Sequence, residues 1–360
     1  MTQPVWMIYG ATGYTGRLIA QQAVERGLRP ILAGRNEPAI KALAAELDLE
    51  ARVVSLVDAT VLSEALQDVT AVLHCAGPFM HTWRPMVEAC LATRTHYLDI
   101  TGEISVFESI HSLHQSATDR KIVMLPGVGF DVVPSDCLAK LLAEALPDAT
   151  DLKLAFTTSG GGTSRGTRRT MVGGLPSGGA IRRDGKIVQV PFAHSVETIP
   201  FSCGSRHAMT VGWGDVSTAY HSTGIPNIRV YTGIPEPTLR RMRRFMKFAP
   251  ILNNRFAQRL IHSWIDLTAP GPSLEQRERA RSYFWGEVSN LGGEAATATM
   301  QIPEGYTFTA VAAVESLRRV LHESVAPGFA TPSIAFGSEF ASSLPGVQVS
   351  EVKLGGPGPE

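Results

Sequence analysis

Short apolar runs alternate with stretches of helical period along the first third of the chain. Val5-Trp6-Met7-Ile8-Tyr9 is an unbroken apolar run of strand length. Leu18, Ile19, Ala23 and Val24 then recur at helical spacing until Gly27. Pro30-Ile31-Leu32-Ala33 predicts a second strand, and a helix over 37–47 opens with Pro38 and turns Ile40, Leu43, Ala44 and Leu47 to one face. Arg52 to Val57 is a third strand, ending at Asp58, and Ala71-Val72-Leu73-His74-Cys75 a fourth. The next helix faces Trp83, Val87, Cys90 and Leu91 inward. His96-Tyr97-Leu98 is a fifth strand, a helix near 103–119 buries Val106, Ile110, Leu113 and Ala117, and Lys121 to Leu125 is a sixth strand. This alternation predicts an α/β fold with a doubly wound parallel sheet.

The pattern changes after Pro126. A helix from about Pro134 to Leu146 leads into a strand-rich region where Leu152, Leu154 and Phe156 alternate as in a half-buried strand. Asp184-Gly185, between Ala180-Ile181-Arg182 and Ile187-Val188-Gln189-Val190, predicts a hairpin. Residues 281–302 predict another, turning at Leu291-Gly292-Gly293. Val311, Val314, Leu317 and Leu321 mark a late helix. The expected division is a dinucleotide-binding domain over 1–126, completed by about 305–345, and an α+β substrate or dimerisation domain over 127–304. A disordered tail is expected over 353–360, which ends in Gly355-Gly356-Pro357-Gly358-Pro359-Glu360.

The chemistry concentrates where strands end. Gly10-Ala11-Thr12-Gly13-Tyr14-Thr15-Gly16 lies between the first strand and the first helix, the context in which a glycine turn binds a dinucleotide in a Rossmann domain. Glycines admit a diphosphate to the backbone amides, and the helix N-terminus favours its charge. Gly10, Gly13 and Gly16, with Thr12, Tyr14 and Thr15 beside them, are the expected diphosphate contacts. A bare strand-to-helix turn is the bland alternative. The second strand ends in Gly34-Arg35-Asn36, where an NAD site places an acid for the ribose hydroxyls. Arg35 can instead fork onto a 2′-phosphate and lie on adenine, which predicts NADP(H). Asn36, Asp58 and Ala76 are further expected cofactor contacts at the ends of strands two, three and four.

Cys75-Ala76-Gly77-Pro78-Phe79 falls where a doubly wound sheet passes the nicotinamide, so Gly77 and Pro78 join the cofactor residues and Phe79 the substrate residues. The alternative is a structural turn with Phe79 in the core. Tyr97-Leu98-Asp99-Ile100-Thr101-Gly102-Glu103 places a phenol and two carboxylates at the same edge; Tyr97 and Asp99 are catalytic candidates, while Glu103 reads best as a cap for the next helix. Asp131, at the exit of strand six, could hold substrate or a catalytic water. Asp136 suits the first turn of the following helix. Ser159-Gly160-Gly161-Gly162-Thr163-Ser164-Arg165-Gly166-Thr167 is a second glycine-rich loop. Arg165 and Arg168 are candidates for an anionic substrate group.

Composition narrows the choice. Of 360 residues, 33 are Lys or Arg and 33 Asp or Glu, so no net charge argues for nucleic acid. Cys75, Cys90, Cys137 and Cys203 form no Cys-x-x-Cys pair and no zinc spacing, so no metal site is read and reduced cytoplasmic thiols are expected. No signal peptide or membrane-spanning run is visible. The stretch 240–264, rich in arginine with Met242, Phe245, Met246, Leu252, Phe256 and Leu260 interleaved, predicts a basic amphipathic helix. Its readings are a core or homodimer-interface helix, a dock for an acidic acyl-carrier protein, or peripheral contact with a membrane surface. None of the tyrosines is followed four residues on by lysine, which argues against a short-chain dehydrogenase scheme.

Taken in order, the Gly10–Gly16 turn, Ala33-Gly34-Arg35, Gly77-Pro78-Phe79, Tyr97–Glu103, Gly129–Asp136, Gly305-Tyr306 with Thr309-Ala310, and Thr331–Gly337 resemble the saccharopine dehydrogenase-like family. The chain is similar in particular to its trans-acting enoyl reductase branch. The resemblance implies a Rossmann domain, an α/β substrate domain and NADP(H). It carries cofactor roles to Gly10, Gly13, Gly16 and Arg35 and the nicotinamide side to Gly77 and Pro78. Saccharopine-forming enzymes are longer and differ where this chain has Phe130-Asp131-Val132-Val133-Pro134. The expected activity is NADPH-dependent reduction of an enoyl group on an acyl or lipid-like substrate. Alternatives are a saccharopine-type imine reductase or amino-acid dehydrogenase, and an NADP-binding regulator without turnover.

Overall fold

The computed structural model describes residues 4–160, 162, 164, 178–246 and 271–356. They form two units. One comprises the described residues of Met1–Val133 and Tyr306–Phe340, the other those of Pro134–Gly305 and Ala341–Glu360.

The first unit is built on strands β1 (Trp6–Tyr9), β2 (Ile31–Gly34), β3 (Ala51–Val53), β4 (Ala71–His74), β5 (His96–Asp99) and β6 (Val123–Leu125). A return strand, Gly328–Phe329, pairs parallel with β6. All neighbours are parallel, in the order return-β6-β5-β4-β1-β2-β3. The reversal between β1 and β4 is the switch point at which such sheets bind dinucleotides. β1, β2 and β4 are buried at every residue, as their unbroken apolar runs require.

Helices α1 (Tyr14–Glu25), α2 (Glu37–Leu47), α3 (Ala59–Glu64), α4 (Phe79–Thr93), α5 (Ile104–His111) and α6 (His114–Arg120) connect the strands. Two separate cores cover the sheet's faces. One joins Ile8, Leu32 and Leu73 to Ile19, Ile40 and Leu43, together with Ala310, Val314 and Leu317 of a return helix, Gly305–His322. The other joins Met7, Val72 and Tyr97 to Leu62, Trp83, Val87, Val106 and Ile110. The single helix expected near 103–119 is two helices. The Ser112 hydroxyl bonds back to Ser109 O at 2.6 Å, and Leu113 leaves helical geometry before α6 starts. The third strand stops at Val53 rather than Val57.

The second unit opens with α7 (Val133–Ala145) and carries a mixed sheet. Its strands are β7 (Asp151–Ser159), β8 (Gly179–Arg183), β9 (Lys186–Val190), β10 (Val196–Phe201), β11 (Gly204–Thr210), β12 (Asn227–Gly233), β13 (Arg281–Ser289) and β14 (Ala295–Pro303). Both expected hairpins are present, β8–β9 closing at Asp184-Gly185 and β13–β14. Leu138 and Leu142 of α7 approach so close to the sheet that a Cβ on Gly286 would stand 2.6 Å from Leu142 Cδ1. The other face carries a half-buried polar network. Lys153 Nζ lies 3.0 Å from Glu197 and 3.6 Å from Glu287, and the Tyr231 hydroxyl donates to Glu197 at 2.5 Å. The tail expected to be disordered from 353 begins otherwise. Lys353–Gly355 is a strand paired with β14, because backbone pairing holds even residues with little side chain to bury.

Candidate cofactor and active site

Sequence dictates an exact turn after β1. Gly10 has φ +82°, and a Cβ there would stand 2.8 Å from Ala76 N. Gly10 N and Ala11 N both donate to Ala33 O, and Gly13 N donates to Gly10 O at 3.0 Å. A Cβ on Gly16 would stand 2.4 Å from Gly10 O, so α1 can begin this close to the turn only with glycine at that position. Arg17 N is the first amide taken up within α1, by Gly13 O at 2.9 Å. No side chain caps this N-terminus and no acid sits in its first turn. Thr12 and Gly13 are exposed, Tyr14 and Thr15 half-buried. An uncapped helix N-terminus with its dipole and a glycine cradle fit a diphosphate.

Arg35 is exposed at the end of β2, one residue past Gly34. Its charge acts on the nearby Tyr9 phenol, holding down a value that burial otherwise raises. An exposed guanidinium at this place fits a 2′-phosphate. Asn36 and Asp58 have structural duties. Asn36 Oδ1 caps α2 through Ala39 N at 3.2 Å, and Asp58 Oδ1 caps α3 through Thr60 N and Val61 N at 2.9 and 3.1 Å. Ala76 and Pro78 are half-buried and Gly77 exposed, on the segment that touches Gly10; the Gly77-Pro78 peptide is cis.

The structure corrects several expectations. Phe79 is 8% exposed and sits edge-on to His74 at 5.4 Å, in the core rather than at a substrate. Tyr97 and Asp99 are both 0% exposed, and they bond each other through the phenol hydroxyl and Asp99 Oδ2 at 2.7 Å. Asp99 Oδ1 accepts from Thr101 N and Gly127 N, each at 2.9 Å. This carboxylate staples the exits of β5 and β6 and is wholly buried. Burial pushes its carboxyl up to about 6, against the hydrogen bonds that hold it down. Glu103 caps a helix, but not the one that follows it. Its two oxygens accept from Phe79 N and Met80 N at 2.8 Å each, closing the N-terminus of α4. Sequence gave no signal for that contact, since the partners are far apart along the chain.

Asp131 remains at the carboxyl edge, half-buried on the loop after β6. Gly102 makes room for it; a Cβ there would stand 2.6 Å from Asp131 Oδ2. Burial, and then the Glu103 charge, push its carboxyl up to about 7. The return helix reaches the same edge. Thr309 Oγ1 accepts from Phe130 N at 3.0 Å, and Tyr306, one turn earlier on that face, packs edge-on against Tyr14 at 4.9 Å. Arg165 and Arg168 lie outside the described residues, as does the basic stretch 240–264 beyond the helix Glu236–Met246. Among the described residues no cluster of three or more His, Cys, Asp or Glu could hold a metal ion, and no helix is long and apolar enough to cross a membrane.

Residues 6–125, the span of β1 to β6, match the saccharopine dehydrogenase NADP binding domain. The match covers the glycine turn, Arg35, the Ala76–Pro78 segment and Asp99, so the first unit carries an NADP-binding domain of dehydrogenase type. Among curated relatives, a Mycobacterium tuberculosis protein whose name contains the words trans-acting enoyl reductase is 32% identical over 179 residues, 46% of this chain and 43% of that one. The trans-acting enoyl reductase of Mycobacterium leprae is 34% identical over 140 residues, 36% of this chain and 33% of that one. The chain thus aligns with less than half the length of these relatives. In fold it is similar to saccharopine dehydrogenase (L-Glu forming) of Saccharomyces cerevisiae, with TM-score 0.63 at 12% identity, over 97% of this chain and 100% of that one. It is likewise similar to the homospermidine synthase of Legionella pneumophila, whose structure holds NAD, with TM-score 0.64 at 10% identity, over 97% and 92%.

Proposed function

We propose that the protein is an NADP-dependent oxidoreductase that reduces the carbon–carbon double bond of an enoyl acyl substrate. The observation that carries the cofactor half is the glycine cradle, where Gly10 and Gly16 admit no Cβ, with Arg35 exposed beyond it. The reaction half is supported by the names of the mycobacterial relatives over the aligned part.

Reduced nicotinamide, when bound, supplies a hydride for the β-carbon; the α-carbon must then receive a proton. Backbone amides at the start of α1 would hold the diphosphate and Arg35 the 2′-phosphate. Ala76, Gly77 and Pro78 would line the nicotinamide side. Asp131 is the group suited to deliver the proton. Its carboxyl, pushed up to about 7, keeps a substantial protonated fraction near neutrality, and it stands at the carboxyl edge. The start of the basic stretch supports a substrate presented as a thioester on an acidic carrier, since Arg241 and Arg244 are exposed on the helix Glu236–Met246.

The test is NADPH oxidation followed with enoyl thioesters, carrier-bound or as small-molecule analogues, alongside 2-oxo acids paired with amines. Turnover of the enoyl thioesters alone supports the proposal. Turnover of the oxo-acid–amine pairs would replace it with imine reduction, and NADPH binding without turnover of either class would make the protein a cofactor-binding regulator.

A further inference from the structure

His74 closes β4 with its ring wholly buried. Its Nε2 lies 3.1 Å from Thr82 Oγ1, and that hydroxyl lies 2.7 Å from Ala76 O and 3.3 Å from Pro78 O. A hydroxyl has one proton to give, and both carbonyls can only accept. Thr82 therefore donates to the backbone and accepts from His74, which puts the imidazole proton on Nε2. Nδ1 is then a bare acceptor, and it meets no hydrogen-bond partner among the described residues. The neighbouring phenols are committed elsewhere, Tyr9 to Val54 O and Tyr97 to Asp99. The ring stands among Tyr9, Phe79 and Tyr97, with centroids 5.5, 5.4 and 6.2 Å away.

A phenylalanine would fill this place and orphan no polar atom. Packing alone disfavours the imidazole, so its presence asks for another reason. The reason lies in what Thr82 holds. Ala76 is the residue that would strike a Cβ on Gly10, so the segment after β4 is seated directly on the glycine turn. Glu103 fixes the far end of that segment through Phe79 N and Met80 N. At the near end Cys75 N donates to Tyr9 O at 2.8 Å and His81 N to Pro78 O at 3.2 Å, and the Thr82 hydroxyl is the side chain that holds Ala76 O.

We propose that His74 and Thr82 are positioning residues that hold the Ala76–Pro78 carbonyls in register against the nicotinamide half of the cofactor. This rests on the NADP-binding reading of the site. The pair touches no ligand itself. His74 orients Thr82, and Thr82 orients the backbone.

The test compares wild type with His74→Phe, Thr82→Val and Thr82→Ser in titrations with NADPH and with 2′-phospho-ADP-ribose, which lacks the nicotinamide, together with thermal midpoints. His74→Phe is expected to melt at or above the wild-type midpoint, to bind NADPH at least fivefold more weakly, and to bind 2′-phospho-ADP-ribose as wild type does. Thr82→Val should behave likewise, the double variant no worse than either single one, and Thr82→Ser, which keeps the hydroxyl, should rescue NADPH affinity. NADPH binding unchanged in both His74→Phe and Thr82→Val overturns the proposal, and so does loss of both ligands in step with lost stability. Failure of wild type itself to bind NADPH would remove the cofactor reading and this inference with it; a wild type that binds NADPH but reduces nothing leaves the positioning result to be read as stated.

Discussion

Gly16→Ala sets two rules against each other. Gly16 lies in the first turn of α1, where helix propensity alone favours alanine by about 1 kcal/mol. A Cβ there would stand 2.4 Å from Gly10 O and 3.0 Å from Ala11 Cα. A carbon normally keeps roughly 3.3 Å from a carbonyl oxygen, so helix and turn must part by somewhat under about 1 Å. Neither obstacle is a side-chain tip that could swing away. Gly10 O is also the acceptor for Gly13 N, and Gly10 N is tied to Ala33 O. Overpacking of this kind costs roughly 1–3 kcal/mol, and straining the Gly13–Gly10 hydrogen bond adds about 1 kcal/mol. Set against propensity, the net expectation is destabilisation by about 2 kcal/mol. The shift also moves amides that face the diphosphate. Losing one charge-assisted bond there weakens NADPH binding at least about tenfold. Denaturant unfolding of the free protein reads the first quantity and a fluorescence titration the second. Gly27→Ala is the control. Gly27 has φ +72° and nothing within 4 Å of a Cβ, so alanine there should cost about 1 kcal/mol of backbone strain and leave NADPH affinity alone. A Gly16→Ala protein as stable as wild type, with unchanged affinity, would refute the close approach on which the cradle depends.

Arg35→Ala should weaken NADPH binding by roughly 10–100-fold while leaving NADH binding nearly unchanged, in parallel titrations; equal losses for both would show that Arg35 does not read the 2′-phosphate. Tyr97→Phe leaves Asp99 Oδ2 buried without its donor and should cost about 1–3 kcal/mol in denaturant unfolding, with NADPH affinity intact; a loss of turnover without a loss of stability would restore Tyr97 to the chemistry. For Asp131 the folded carboxyl sits up near 7, whereas an unfolded aspartate ionises near about 3.9. The stability its neutral form contributes is complete below the unfolded value and drains as pH rises toward 7. Asp131→Asn lacks that loss, so urea midpoints should diverge in the variant's favour across that window and run parallel above it. Midpoints that stay parallel throughout would show the carboxyl to be solvated. In the enzyme assay the same variant should slow turnover by roughly 10²–10⁴-fold.

Much of the first unit was legible because its signals are local. An apolar run such as Trp6–Tyr9 leaves a strand few alternatives, and glycines at 10, 13 and 16 specify a turn that no side chain permits. Arg35 stood out because the residue type is wrong for the other cofactor. The roles misread were those set by contacts between distant segments. Tyr97 and Asp99 looked like catalytic groups because they lay at a strand end, and Glu103 looked like a cap for the helix that follows it. Folding brings Gly127 onto Asp99 and the α4 amides onto Glu103, and that spends the carboxylates on backbone donors. Phe79 is decided by packing against His74, which no spacing along the chain reveals. Asn36 and Asp58 were placed at the correct edge, yet their oxygens cap α2 and α3, a competing use that the same residue types always offer at helix starts.

The cofactor unit is interrupted in the chain, with a consequence for the order in which it can be made. β1 to β6 leave the ribosome well before Gly328–Phe329, the strand that borders β6, which follows only after residues 134–305 of the second unit. At about 5–20 residues per second that is a wait of roughly 10–40 s. Through that interval the sheet face packed by α1 and α2 lacks the further cover of Ala310, Ala313, Val314 and Leu317. A nascent chain stalled before Tyr306 therefore presents the glycine cradle above a partly uncovered apolar surface, a natural client for a chaperone.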